Sequence, residues 1–142
     1  MGPLDGSQRV ASVRDQPAAI RVATLTGPLS AALVHELAAD SRLVVRISTS
    51  PDDLVALVDR NETDAALVFV DETPGWPVSL AERLAARLGG RVPLVIVCDS
   101  AADSEVIEQR LEGPSIRVLL RGSLTAGLLA DAARAAALHA RP

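Results

Sequence analysis

The sequence is poor in aromatic residues, in cysteine and in long apolar runs. Phe69 and Trp76 are its only aromatics, and tyrosine is absent. A core must therefore be built from Val, Leu, Ile and Ala. Aliphatic strands under alanine-rich helices suit a parallel sheet covered on both faces. The single cysteine, Cys98, excludes an internal disulfide and argues against a cysteine-rich metal cluster. No apolar run approaches the roughly 20 residues that span a bilayer, and the opening MGPLDGSQRVASVRDQPAA has no apolar signal core. The expectation is a soluble, cytoplasmic protein without membrane contact. The net charge is −4 with both signs interspersed. That argues against a basic patch on this segment that would grip a nucleic-acid backbone.

What is there is a chain of 142 residues, 49% hydrophobic, enough for one domain with one ordinary core. Residues 1–18 read as a polar tail, 19–139 as a single domain and 140–142 as the start of a linker. Within the domain, β-rich runs alternate with helical patterns. Strands are expected at 20–25 (IRVATL), 43–48 (LVVRIS), 64–70 (DAALVFV), 92–98 (VPLVIVC) and 115–120 (SIRVLL). The third strand, apolar almost throughout, should be central and buried on both faces.

Helices are expected at 27–40, 49–61, 77–90, 100–113 and 123–140. The first has Pro28 in its first turn, where a missing N–H costs nothing, and an apolar face of Leu29, Leu33, Val34 and Leu37. The second has Ser50 as N-cap, Pro51 at N1 and acids in the first turn, where Asp52 and Asp53 suit the helix dipole and carry no catalysis. The third is closed by glycines, since LGG at 88–90 precedes a strand and is a helix stop, not a phosphate loop. The fourth is more polar and less firmly packed. The last is expected to be capped by Ser123. Five βα units imply a flavodoxin-like (βα)5 doubly wound parallel sheet, strand order 2-1-3-4-5. Ligands of such sheets bind at the carboxyl ends of the strands, so the loops that matter are 24–28, 71–76, 98–101 and 121–123.

Three stretches in order, IRVATLTGPLSAALVHEL, DAALVFVDETPGW and IRVLLRGSLTAGLLADAARAA, resemble the receiver domain of two-component response regulators. The likeness is to the subfamily whose receivers precede a helix-turn-helix DNA-binding domain, and it covers roughly residues 20 to 138. The resemblance implies four pieces of chemistry at the strand ends. Two acids after the first strand hold Mg²⁺, which favours carboxylate oxygens. An aspartate after the third strand accepts the phosphoryl group as nucleophile. A Ser or Thr after the fourth strand and a Lys after the fifth then bind it.

This sequence departs from that pattern. The loop after the first strand reads Thr24-Leu25-Thr26-Gly27, with no carboxylate. The Ser/Thr place falls on Val97 or Cys98, the Lys place on Arg121 and the aromatic switch on Val118. Counting forward from Asp64 puts the acceptor at Phe69, and counting back from Pro74 puts it at Val70. Asp71 takes that place only if the strand or turn has changed length.

The candidate crevice residues are therefore Asp71, Glu72, Arg121, Thr24, Thr26, Cys98 and Asp99. Asp71 and Glu72 could anchor a ligand amine or a metal; otherwise they cap the third helix or pair with Arg121. Arg121 could bind an anion or pair with Asp71 or Asp99. Cys98 reads as a small buried residue, and His35 and His139 as surface positions.

The resemblance implies an atypical receiver that is not an enzyme. It would need no cofactor or metal and would work without phosphorylation. It would serve as a dimerisation and regulatory module of a transcriptional regulator, with the homodimer formed through the fourth helix, fifth strand and last helix. A small molecule in the strand-end crevice could bias those contacts. The alternative is a true phosphoacceptor at Asp71. A stand-alone flavodoxin-like enzyme is disfavoured by the lack of a glycine-rich loop and of a Ser-His or Cys-His pairing.

Overall fold

In a computed structural model, residues 19–72, 76–111, 113 and 115–140 are described. The polar tail, the Pro74-Gly75 turn and the last two residues lie outside them. Five strands, β1 (Ile20–Leu25), β2 (Leu43–Ser48), β3 (Ala65–Phe69), β4 (Leu94–Cys98) and β5 (Ile116–Leu120), form one parallel sheet of order β2-β1-β3-β4-β5. This is the flavodoxin-like order expected from the sequence. Five helices connect and follow the strands: α1 (Ala31–Ala38), α2 (Pro51–Asp59), α3 (Pro77–Leu88), α4 (Ala101–Arg110) and α5 (Ala126–Ala140).

Strand alternation sends successive side chains to opposite faces, and each face has its own core. Ala23, Val68, Ile96 and Cys98 pack with Leu54 of α2, Leu84 of α3 and Ile107 of α4. Val22, Leu67, Phe69 and Val97 pack with Leu37 of α1 and Leu129 and Ala133 of α5. Every residue of β3 and β4 is buried, which explains their near-continuous apolar sequences. On α4 only Ser104 and Ile107 are buried, in keeping with its polar sequence.

The helix ends follow local chemistry. Ser50 caps α2 by accepting from the Asp53 amide, with Pro51 at the first position. Ser100 caps α4 in the same way through Asp103. Gly89 ends α3 in the left-handed region at φ 58°, where a side chain would be strained.

Two expectations are corrected. Ser123 is not the cap of α5: Arg121–Ser123 form a 3-10 turn, Leu124 is extended, and Thr125 accepts the Leu128 amide at 3.2 Å. The first helix does not run from residue 27. Pro28–Ser30 form a separate 3-10 turn, and Ser30, with ψ near 8°, breaks the α-helical phase before Ala31. Leu29 consequently leaves the apolar face and is 70% exposed, while Val34 and Leu37 stay buried.

Candidate functional site

At the carboxyl end of the sheet three loops are tied together by side chains. The chain leaves β3 with Val70 buried and turns through a 3-10 segment, Val70–Glu72. This turn presents two consecutive carboxylates that diverge. Asp71 Oδ2 accepts the amide of Asp99, just beyond β4, at 2.6 Å. Glu72 Oε1 accepts the amide of Ser30, just before α1, at 2.7 Å. Hydrogen bonds to a carboxylate are among the stronger ones in proteins. Glu72 can lie there because residue 27 is glycine: a Cβ at Gly27 would stand 2.7 Å from Glu72 Cβ.

Arg121 follows the edge strand β5 and reaches across to the loop after β1. Its Nε donates to Ser30 Oγ at 2.7 Å, and its Nη2 donates to the Leu29 carbonyl at 2.7 Å. Asp99 is its nearest carboxylate, at 3.9 Å. The expected pairing of Arg121 with Asp71 does not form, because Asp71 is turned to the Asp99 amide. Nor do Asp71 and Glu72 cap α3: among the described residues their carboxylates accept the Asp99 and Ser30 amides, and the N-cap Trp76 has no capping side chain.

Thr24 is fully buried at the end of β1, and its Oγ1 has no hydrogen-bond partner; Glu72 Oε2 is likewise buried and unpartnered. Thr26 makes only a local contact with the Gly27 carbonyl. Cys98 is fully buried at the end of β4. Burial, reinforced by the charges of Asp71, Asp103 and Asp99, pushes its thiol up to about 12. His35 and His139 are exposed. Trp76 is 55% exposed, with the Arg110 guanidinium 5.9 Å from its ring centre. Phe69 and Val70, the two places that counting gave for an acceptor, are both core residues.

The residues present do not fit a hard divalent cation. Such an ion wants several oxygens free to turn toward it. The loop after β1 supplies no carboxylate, Asp71 and Glu72 each already hold a backbone amide through one oxygen, and Asp99 lies nearest Arg121. Among the described residues no three His, Cys, Asp or Glu side chains converge.

Sequence reading missed Ser30, which joins Glu72 and Arg121. Its only signal is a serine inside an otherwise apolar helical pattern, two residues after Pro28. It also missed that the acids take up backbone amides, since an amide carries no residue signature.

Fold and crevice together define a flavodoxin-like doubly wound domain with its loops tied at the strand ends. No family model matches the chain, and no curated protein matches it. Solved structures do. The CheY-like receiver domain of Methanospirillum hungatei is similar with a TM-score of 0.65 at 10% identity, over 87% of this chain and 97% of that one. A protein described as pilus assembly-related from Burkholderia pseudomallei is similar with a TM-score of 0.62 at 21% identity, over 87% and 92%. NtrX of Brucella abortus is similar with a TM-score of 0.65 at 12% identity, over 86% of this chain and 27% of NtrX. The chain has the fold of response-regulator receiver domains.

Proposed function

We propose that this chain is a receiver-like regulatory module that performs no catalysis and signals without phosphoryl transfer. The observation that carries the reading is the tie across the strand ends. Asp71 and Glu72 each hold a loop amide, and Arg121 bonds to Ser30 and Leu29. The receiver pattern would join these loops through a phosphoryl group held by the metal, the hydroxyl and the basic residue. Here bonds within the chain already join them.

The output is a protein contact, made by the face of α4, β5 and α5 in a homodimer and passed to a DNA-binding domain. Support for that face comes from its exposure: β5 is an edge strand, α4 is lightly packed, and Leu120 and Leu128 are solvent-facing apolar residues. A small polar ligand in the crevice is the input. Two unsatisfied buried oxygens, on Thr24 and Glu72, support it, because buried polar atoms are ordinarily paired.

The test is to treat the protein with acetyl phosphate and Mg²⁺, weigh it intact, and follow Trp76 fluorescence with beryllofluoride, using Asp71→Asn as control. No phosphate-sized mass gain and no saturable signal are expected. A gain or signal that disappears in Asp71→Asn would instead make Asp71 a working acceptor and end this reading.

A further inference from the structure

A cleft of about 400 Å³ opens between the first turn of α2 and the outer side of α3. Its basic wall is Arg83 and Arg87, its floor is Leu80 and Leu84, and opposite them stand Ser50 and Asp52. It is distinct from the strand-end crevice and contains none of the residues that tie the three loops.

Two guanidinium groups at i and i+4 share one helix face and repel each other unless an anion lies between them. Arg87 has one, Asp52, at 2.6 Å, but both partners are well exposed, with Asp52 82% accessible. An exposed pair of this kind is weak and readily displaced. Arg83 has no ion pair and no hydrogen bond among the described residues. Two arginines and one aspartate leave the lining at +1 in a chain whose net charge is −4, so the cleft attracts anions locally.

The Ser50 hydroxyl accepts the Asp53 amide at 3.2 Å and keeps its own proton to donate. Asp53, on the flank, is turned to the Thr49 hydroxyl. The floor is apolar, and the volume lies within the range of small-molecule sites.

We propose that this cleft binds a small amphipathic organic anion: a carboxylate or phosphate monoester on a short aliphatic body. The head takes the planar forks of Arg83 and Arg87, which can bind either group through paired hydrogen bonds, and displaces Asp52. The body lies over Leu80, Leu84 and the Pro51 ring.

The whole chain is titrated with hexanoate, hexyl phosphate, inorganic phosphate and hexanol while amide and methyl resonances are followed by NMR. Saturable shifts at Leu80, Arg83, Leu84 and Arg87 are expected with hexanoate, hexyl phosphate or both, and the tighter of the two names the head group. Arg83→Gln weakens binding about tenfold or more with no change in melting temperature, because Arg83 is exposed and unpaired. Asp52→Asn tightens binding by removing the competing carboxylate. Three results would each overturn the proposal: no saturable shift up to about 10 mM of either hexyl anion, binding indifferent to Arg83→Gln, or inorganic phosphate or hexanol binding as tightly as hexyl phosphate.

Discussion

Between about pH 9 and pH 11 this chain has a single side chain to titrate. It contains no lysine and no tyrosine; the α-amino group titrates near 8 and arginine above about 12. That leaves Cys98, whose buried thiol is pushed up to about 12, whereas in an unfolded chain it titrates near 8.5. Above about 8.5 the unfolded state sheds a proton that the native state keeps. It then binds fewer protons, and stability falls as pH rises. The contribution is fully present below about 8.5 and is lost progressively toward 12. One proton gives a limiting slope of about 1.4 kcal/mol per pH unit, so the step from pH 9 to 11 costs about 2.5 kcal/mol. That is a large share of the stability of a small domain. The assay is urea unfolding followed by far-ultraviolet circular dichroism at half-unit pH steps, in reducing buffer. Cys98→Ala lowers the whole curve by truncating the core but flattens the alkaline limb. A flat limb in the wild type refutes the burial argument, and an equal slope in Cys98→Ala refutes its assignment to this residue.

Substitutions at two further places test local geometry. Gly27 is extended, with φ −121° and ψ −171°, so its requirement is one of space and not of backbone conformation. A Cβ there meets Glu72 Cβ at 2.7 Å and the Glu72 carbonyl at 2.8 Å. Gly27→Ala should lose about 1–3 kcal/mol by overpacking, where an unhindered glycine would gain about 0.4–1 kcal/mol. Urea midpoints give the sign, and Glu72→Ala should not rescue the loss because it keeps both offending atoms. At the start of α5, Thr125→Ala should cost about 1 kcal/mol as a lost cap, and Ser123→Ala should stay within about 0.5 kcal/mol. The reverse order in thermal melts would restore Ser123 as the cap.

The fold was legible because its signals are local. β1 and β2 came out at their expected bounds, and Ser50 with Pro51 gave the start of α2. The glycines at 89 and 90, both at positive φ, ended α3. Where local signals compete, the reading slipped. Ser123 and Thr125 are both acceptable caps, and the choice falls to Thr125 because the chain first completes a 3-10 turn after β5. Leu29 fits a helical stripe by spacing, but Pro28 starts a tighter turn with a different period.

The crevice was legible as a set of positions and not as a set of bonds. Asp71, Glu72, Asp99 and Arg121 do meet at the strand ends, yet their partners are chiefly main-chain groups and one unforeseen serine. Those partners stand 28 to 92 residues away in sequence, a separation at which no periodicity or spacing speaks. The bonds also bear on the chemistry open to Asp71. For its Oδ2 to act as a nucleophile it would have to release the Asp99 amide, which is exposed and would turn to water. For Arg121 to turn its Nε and Nη2 to an anion at Asp71, they would have to leave Ser30 Oγ and the Leu29 carbonyl. Ser30 could then keep the loop in place only through its amide bond to Glu72. Moving these particular atoms toward a phosphorylated arrangement breaks bonds that already join loops, and the adjacent Glu72 adds charge repulsion to any incoming phosphate.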